Sequence, residues 1–87
     1  MRNLELFHLM ACPYSAKVRD FIEKHGLQSR IRYREIHEDE RAREELTRMN
    51  GDAQVPCLVV DGEPILESDS IIQWLDRHLV SDARKAG

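Results

Sequence analysis

The strongest structural signal in the sequence is the segment NLELFHLM, residues 3–10. It is short and rich in apolar residues, and it leads directly into a proline-containing turn, which is the pattern of a strand that enters a turn. Because side chains alternate along a strand, Leu4 and Leu6 share one face, and Phe7 and Leu9 share the other. A strand that is apolar on both faces belongs in the middle of a sheet that is covered on both sides.

The rest of the chain alternates between helical and strand-like segments. Pro13 suits the first turn of a helix, where its missing N–H costs nothing, and Gly26 supplies the stop. The predicted elements that follow are a strand at 30–36, a helix at 38–50, strands at 55–60 and 64–67 joined by a DGE turn, and a helix at 68–80. This order, βαβαββα, predicts an α/β fold with a four-stranded mixed sheet flanked by three helices, in which the first two strands are parallel.

Several local features follow from the same patterns. The strand at 30–36 alternates arginines with Ile31 and Tyr33, which is typical of an edge strand with one wet face. The last helix opens with Ser68 and Asp69, both good helix-capping residue types. The second helix has a thin apolar stripe, which consists of Ala42, Leu46 and Met49.

The length of 87 residues allows one small domain, residues 1–87, and is too short for two. Residues 81–87 form a short polar tail that we expect to be frayed. Hydrophobic residues make up 41% of the chain and charged residues 33%, which is the balance of a soluble globular domain rather than a disordered one.

Charge and cysteine content exclude some function classes. The net charge is −3, and the 13 basic residues are dispersed among 16 acidic ones, so we expect no nucleic-acid partner. The amino terminus does not resemble a signal peptide, and no apolar stretch approaches the roughly 20 residues of a membrane span, so we expect no membrane partner. Two cysteines in such a chain indicate the reducing cytoplasm, and we expect a monomer there.

Cys12 is the candidate reactive group because it stands at the junction between the first strand and the first helix. Backbone N–H groups and the positive end of the helix dipole both favour a thiolate at such a position, so its pKa is expected to lie below that of a free thiol. The alternative is a buried, inert cysteine. None of the four histidines has metal-ligand spacing with a cysteine, so we expect no metal.

Two segments resemble known protein families. CPYSAKVRDFIEKHGL, residues 12–27, is similar to the glutaredoxin active site Cys-Pro-Tyr-Cys with Ser15 in place of the second cysteine. The same segment and NGDAQVPCLVVDGEPILESDSIIQWLD, residues 50–76, resemble the amino-terminal domain of glutathione S-transferases. The resemblance spans residues 4–80, and both families have the thioredoxin fold, which agrees with the predicted order of elements.

The resemblance implies a glutathione site. It implies a cis bond before Pro56, with the backbone of Val55 pairing with the cysteinyl part of glutathione as an added strand would. It also implies that the N–H of Ser68, which would cap the last helix, receives the γ-glutamyl carboxylate. The remaining candidates are Pro13 and Tyr14 beside the sulfur, Glu67 and Asp69 for the γ-glutamyl ammonium, and Gln54 and Arg48 for the glycine carboxylate.

The function that the resemblance implies is a glutathione-dependent thiol–disulfide oxidoreductase of glutaredoxin type. Cys12 would act alone, glutathione would be the co-substrate, and glutathionylated proteins or small disulfides would be the partners. The alternative is a non-catalytic glutathione-binding module, or an iron–sulfur carrier that uses Cys12 and glutathione. Many glutaredoxins have a lysine shortly before the cysteine, and residues 9–11 of this chain contain none, so thiolate stabilisation is expected to depend mainly on the helix start.

Cys57 follows Pro56 directly, and two interpretations of it remain open. It could resolve a mixed disulfide on Cys12, or it could be a small apolar residue packed in the third strand. Because side chains alternate along a strand, Cys57 can point away from the helix that follows Cys12. We favour the packed interpretation, since nothing in the local sequence activates this thiol.

Overall fold

The computed structural model describes residues 3–81 and contains the seven elements in the predicted order. They are β1 (Leu4–His8), α1 (Pro13–Lys24), β2 (Arg32–Glu35), α2 (Glu40–Asn50), β3 (Cys57–Val60), β4 (Glu63–Leu66) and α3 (Ser68–Leu75). A short 3₁₀ turn at Gln28–Arg30 precedes β2, and a π-helical turn at Asp76–Val80 prolongs α3. Apart from Ser81, the predicted tail at 81–87 lies outside the described residues.

The four strands form one mixed sheet in the order β2-β1-β3-β4. β1 runs parallel to β2 and antiparallel to β3, and β3 is antiparallel to β4. The prediction that the first strand lies in the middle of the sheet is confirmed, and so is the prediction that the second strand forms an edge. The α/β thioredoxin fold with three flanking helices is therefore the fold of this chain.

The two faces of β1 belong to two different hydrophobic clusters. Leu4 and Leu6 pack with residues from α1 and α3, including Val18, Ile22, Ile71 and Leu75. On the other face, Phe7 packs under α2 with Ile36, Ala42, Leu46, Cys57 and Val59. Because β1 is covered on both sides, it fixes the turn that follows it, and this turn leads into Cys12.

The hairpin between β3 and β4 turns on two residues with positive φ angles, Asp61 at 49° and Gly62 at 89°. A two-residue turn of this kind matches the twist of the strands it joins. The Asp61 carboxylate accepts a hydrogen bond from the Asn3 N–H at 2.7 Å, and the Asp61 N–H donates to the Asn3 carbonyl at 2.9 Å. These two hydrogen bonds connect the hairpin turn to the residue that immediately precedes β1.

Two predictions about the α2 face were wrong. Arg34 lies on the face of β2 that the alternating pattern assigned to water, yet α2 covers it and its side chain is only 9% exposed. Its guanidinium pairs with Glu45 at 2.7 Å and lies 5.3 Å from the centre of the Phe7 ring. Met49, which was assigned to the apolar stripe of the second helix, is 39% exposed because it lies in the last turn of α2.

We expect the buried guanidinium to stabilise the fold. Arg34→Ala should lower the free energy of unfolding by about 2 kcal/mol, because it leaves the carboxylates around it without their shared cation. Arg32→Ala is the matched control, since Arg32 is 70% exposed and its loss should change stability by at most about 0.5 kcal/mol. Urea denaturation followed by circular dichroism measures both, and equal losses in the two variants would contradict this role for Arg34.

Candidate functional site

Cys12 is the residue that caps α1, and its thiol is partly exposed. Pro13 is the first residue of the helix, as predicted from its missing N–H. The Cys12 N–H donates to the Leu9 carbonyl at 3.0 Å, which closes the turn after β1, and the Cys12 carbonyl accepts the Ala16 N–H at 3.0 Å. The thiol is therefore held at the amino-terminal end of a helix by backbone bonds on both sides.

The surroundings of Cys12 favour the thiolate. Partial burial by itself raises the pKa of the Cys12 thiol, but hydrogen bonds from Ser15 and Tyr14 together with the positive charge of Arg19 lower it below its ordinary value. The donors are the backbone N–H groups of both residues and the Ser15 hydroxyl. This is the direction expected of a thiol at a helix start.

Ser15 is a residue of this site that the sequence reasoning missed, since it treated Ser15 only as a lost cysteine. Its side chain is completely buried, and its hydroxyl oxygen accepts the Leu9 N–H at 3.2 Å. It lies three residues after the helix cap, a position whose side chain reaches back to the cap. That spacing could have identified Ser15 from the sequence. Its hydroxyl accepts a hydrogen bond from the turn and donates one to the Cys12 sulfur.

A single open cleft of about 310 Å³ brings together three segments that are distant in sequence. Its lining residues are Tyr14, Gln54, Val55, Pro56, Glu67, Ser68 and Asp69. All seven belong to the predicted glutathione set. Cys12 and Pro13, which also belong to this set, immediately precede Tyr14 at the start of α1. Arg48 is not in the cleft, because it lies on the exposed side of α2.

The bond between Val55 and Pro56 is cis, as the resemblance implied. Val55 is half-buried and lies just before β3. Within the part of the chain that the structure describes, neither the N–H nor the carbonyl of Val55 has a hydrogen-bond partner. These two groups can therefore pair with an extended peptide that enters the cleft.

The prediction that Ser68 caps the last helix was wrong. The capping residue is Glu67, which enters α3 with φ 73° and ψ 130° and makes no capping bond with its side chain. Ser68 is the first helical residue and is buried, so its N–H is one of the helix-start donors that have no partner within a helix. The positive φ of Glu67 makes the sharp change of direction from β4 into α3, and non-glycine residues rarely adopt it.

The Glu67 backbone gives a testable effect on stability. Glu67→Gly should raise the free energy of unfolding by about 1 kcal/mol, because glycine adopts a positive φ without strain. The same variant should bind glutathione several-fold more weakly, since it removes a carboxylate from the cleft. The matched control is Glu63→Gly in β4, which should lower stability because glycine weakens a strand. Thermal denaturation and isothermal titration measure the two effects, and a destabilised Glu67→Gly would contradict the strain assignment.

The two acidic residues of the cleft differ in their partners. Asp69 forms an ion pair with Lys17 at 2.7 Å, which joins α1 to α3, although both side chains are largely exposed. Glu67 has no ion-pair partner among residues 3–81. Of the two predicted partners for a ligand ammonium, Glu67 is therefore the one whose carboxylate is uncommitted.

Cys57 lies in the cluster beneath α2, on the face of the sheet opposite α1, and is completely buried. Its sulfur is 3.7 Å from the side-chain nitrogen of Asn50. Burial raises the pKa of the Cys57 thiol. The geometry thus agrees with the packed interpretation and separates Cys57 from the thiol at the start of α1.

Two kinds of structural feature are absent from the described residues, 3–81. Within residues 3–81, no three or more histidine, cysteine, aspartate or glutamate side chains are grouped so that they could hold a metal ion. In the same part of the chain, none of the helices combines the length and the apolar character required to cross a membrane.

Comparison with known proteins identifies the family. The family model described as glutathione S-transferase, N-terminal domain, matches residues 6–80. A rice glutathione S-transferase solved in complex with glutathione is 31% identical, with a TM-score of 0.69, over 87% of this chain and 32% of the rice protein. A glutathione transferase family member from Pseudomonas fluorescens with bound glutathione is 28% identical, with a TM-score of 0.73, over 86% of this chain and 38% of that protein.

The chain thus spans about a third of the length of these two transferases. Buckwheat glutaredoxin, solved as a complex with glutathione, shares the fold at 23% identity and a TM-score of 0.68, over 92% of this chain and 74% of the glutaredoxin. Among curated proteins, no sequence matches this chain. The family match over residues 6–80 shows that the chain belongs to the glutathione S-transferase amino-terminal domain family, whose fold it shares with the glutaredoxins.

Proposed function

We propose that this chain is a glutathione-dependent thiol–disulfide oxidoreductase that uses a single thiol, Cys12. The observation that carries the proposal is the cleft in which Tyr14, Val55 and Ser68 meet beside the start of α1. Membership of a glutathione-related thioredoxin-fold family supports the ligand. The lowered pKa of Cys12 supports its role as the nucleophile.

Glutathione would lie across the cleft as an extended peptide. Its cysteinyl backbone pairs with the N–H and carbonyl of Val55, which have no partner in the described chain. Its γ-glutamyl carboxylate binds at the start of α3, where the Ser68 N–H and the helix dipole favour an anion. Its ammonium group pairs with Glu67, because Lys17 already neutralises Asp69.

The reaction would proceed in two exchanges. The Cys12 thiolate attacks the glutathionyl sulfur of a mixed disulfide, a new S–S bond forms, and the substrate sulfur leaves as a thiolate that takes a proton from water. The thiolate of a second glutathione then attacks the glutathionyl sulfur on Cys12. This step releases glutathione disulfide and regenerates the Cys12 thiolate. In the net reaction one free glutathione is oxidised, forming a disulfide with the glutathionyl group that came from the substrate, and the substrate sulfur is reduced to a thiol. Glutathione performs the resolving step that a second cysteine performs in a dithiol site.

A coupled assay tests this function. The purified chain is given glutathione and the mixed disulfide of glutathione with 2-mercaptoethanol, and glutathione reductase with NADPH reports the glutathione disulfide formed. We expect turnover that depends on protein concentration and saturates with the mixed disulfide. Glutathione binding by calorimetry without turnover would contradict the oxidoreductase and favour a non-catalytic binding module. A brown protein that loses its colour when glutathione is removed would favour an iron–sulfur carrier.

A further inference from the structure

The turn between β1 and α1 is held by three side chains from outside it. The Leu9 N–H donates to the Ser15 hydroxyl oxygen at 3.2 Å, and the Met10 N–H donates to the Glu35 carboxylate at 2.9 Å. The carbonyls of both turn residues accept hydrogen bonds from the Arg19 guanidinium, at 3.3 and 3.4 Å. Every backbone polar group of the two residues at 9–10 therefore has a side-chain partner.

Arg19 can reach this turn because of its place on α1. Cys12, Ser15 and Arg19 are spaced three and four residues apart, so they lie along one side of the helix. Helical side chains lean toward the amino terminus, which brings the guanidinium back toward the turn. One guanidinium nitrogen also lies 3.0 Å from the His8 ring nitrogen Nδ1 at the end of β1.

His8 accepts the hydrogen bond from Arg19, since a guanidinium can only donate. Burial and the neighbouring Arg19 charge lower the pKa of His8, with Glu35 acting in the opposite direction, so the ring is uncharged at neutral pH. The ring also contacts Tyr33 edge-on, with 5.5 Å between ring centres. Arg19 is thus anchored to β1 on one side and to the turn on the other.

We propose that Arg19 is the positioning residue of this site: by binding the carbonyls at 9–10 it fixes the turn that delivers Cys12 to the start of α1. This inference rests on the proposed function in one respect, which is that Cys12 is the nucleophile. Arg19 also supplies the positive charge that residues 9–11 lack. Its charge acts on the thiolate from the second turn of the helix, and no contact with substrate is required of it.

The test compares Arg19→Met and Arg19→Lys with wild type by the pH dependence of Cys12 alkylation. Iodoacetamide is the reagent, and mass spectrometry of the Cys12 peptide gives the rate. Arg19→Met should move the midpoint of the profile to higher pH, and below the midpoint the rate should fall about threefold. Arg19→Lys keeps the charge, so its midpoint should stay close to wild type. Its single ammonium cannot hold both carbonyls and His8, so turnover of the mixed disulfide should still fall.

Arg41→Met is the control because it removes the same charge from an exposed position on α2, and its profile should match wild type. An Arg19→Met protein that is folded by circular dichroism and has the wild-type profile would overturn the proposal. Wild-type turnover in Arg19→Lys would also overturn it, whether or not Arg19→Met folds, because the contacts with the carbonyls would then not be needed. Alkylation needs no glutathione, so an inactive wild type with a shifted Arg19→Met profile would reject the proposed function and leave this inference standing.

Discussion

Cys12→Ser should abolish the glutathione-dependent reduction of a mixed disulfide, with turnover falling at least about a thousandfold to the uncatalysed rate. A hydroxyl stays protonated in the environment that lowers the pKa of the Cys12 thiol, so it supplies no nucleophile. The fold should be kept, because Cys12 is partly exposed and its backbone makes the capping bonds. The coupled reductase assay measures the loss, and circular dichroism checks the fold.

Cys57→Ala is the matched control for the removal of a thiol. Cys57 is completely buried beneath α2, so this variant should retain most of the activity even though it loses some stability. If Cys12→Ser stays active and Cys57→Ala loses its activity, the nucleophile is Cys57, which lies on the opposite face of the sheet. That result would contradict the proposed mechanism.

Ser68→Pro should weaken glutathione binding by about tenfold or more, while leaving the fold intact. Proline fits the first position of a helix, and the ψ of 130° at Glu67 keeps this residue out of the helical region, in which it would clash with a following proline. The substitution removes the N–H that we assign to the γ-glutamyl carboxylate, a charge-assisted hydrogen bond worth about 1.5–3 kcal/mol. Isothermal titration with reduced glutathione measures the change.

Ser68→Ala separates the two donors of this residue. It removes the hydroxyl and keeps the N–H, so its affinity for glutathione should lie much closer to wild type than that of Ser68→Pro. Equal affinities in wild type and Ser68→Pro would show that the carboxylate does not bind at the start of α3. The comparison is valid only if both variants unfold at similar urea concentrations, which the same samples can establish.

The central position of β1 and the hairpin turn at Asp61 were predictable because both depend on short-range patterns. A strand with apolar residues on both faces has to be covered on both faces, and an Asp-Gly pair favours the positive φ angles of a two-residue turn. The residues that line the cleft were predicted from a resemblance in which two motifs occur in the correct order. Neither motif alone indicates that their residues share one cleft, since that depends on how the sheet closes between them.

The burial of Arg34 was not predictable from alternation, because a strand pattern assigns every arginine to water. Its guanidinium lies over the Phe7 ring and pairs with the Glu45 carboxylate of α2, so the charge is buried with partners that come from other elements. The sequence did not predict Glu67 as the capping residue of α3, for a similar reason. Serine and aspartate are better capping residues by type, but the path from β4 places the cap one residue earlier, at Glu67.

The contacts around the turn at 9–10 were also missed, because they join residues that a linear pattern does not connect. Glu35 lies 25 residues from Met10, and its carboxylate accepts the Met10 N–H only because β1 and β2 pair in parallel. Hydrogen bonds from the N–H groups of Met10, Glu38 and His37 lower the pKa of Glu35. Side-chain hydrogen bonds of this kind depend on tertiary placement. The sequence therefore indicated Cys12 as the candidate nucleophile but did not indicate the side chains that position it.

If Cys12 and the cleft form a single glutathione site, glutathionylation followed by NMR is the most direct test of that site. The ¹⁵N-labelled wild-type protein is treated with glutathione disulfide, its mass is measured, and its amide spectrum is compared with that of the reduced form. We predict one glutathionyl group, on Cys12, and shifted amide signals at Tyr14, Val55 and Ser68. An adduct whose shifts stay within the turn and the first turn of α1 would contradict the account, and so would a loss of two mass units with no adduct.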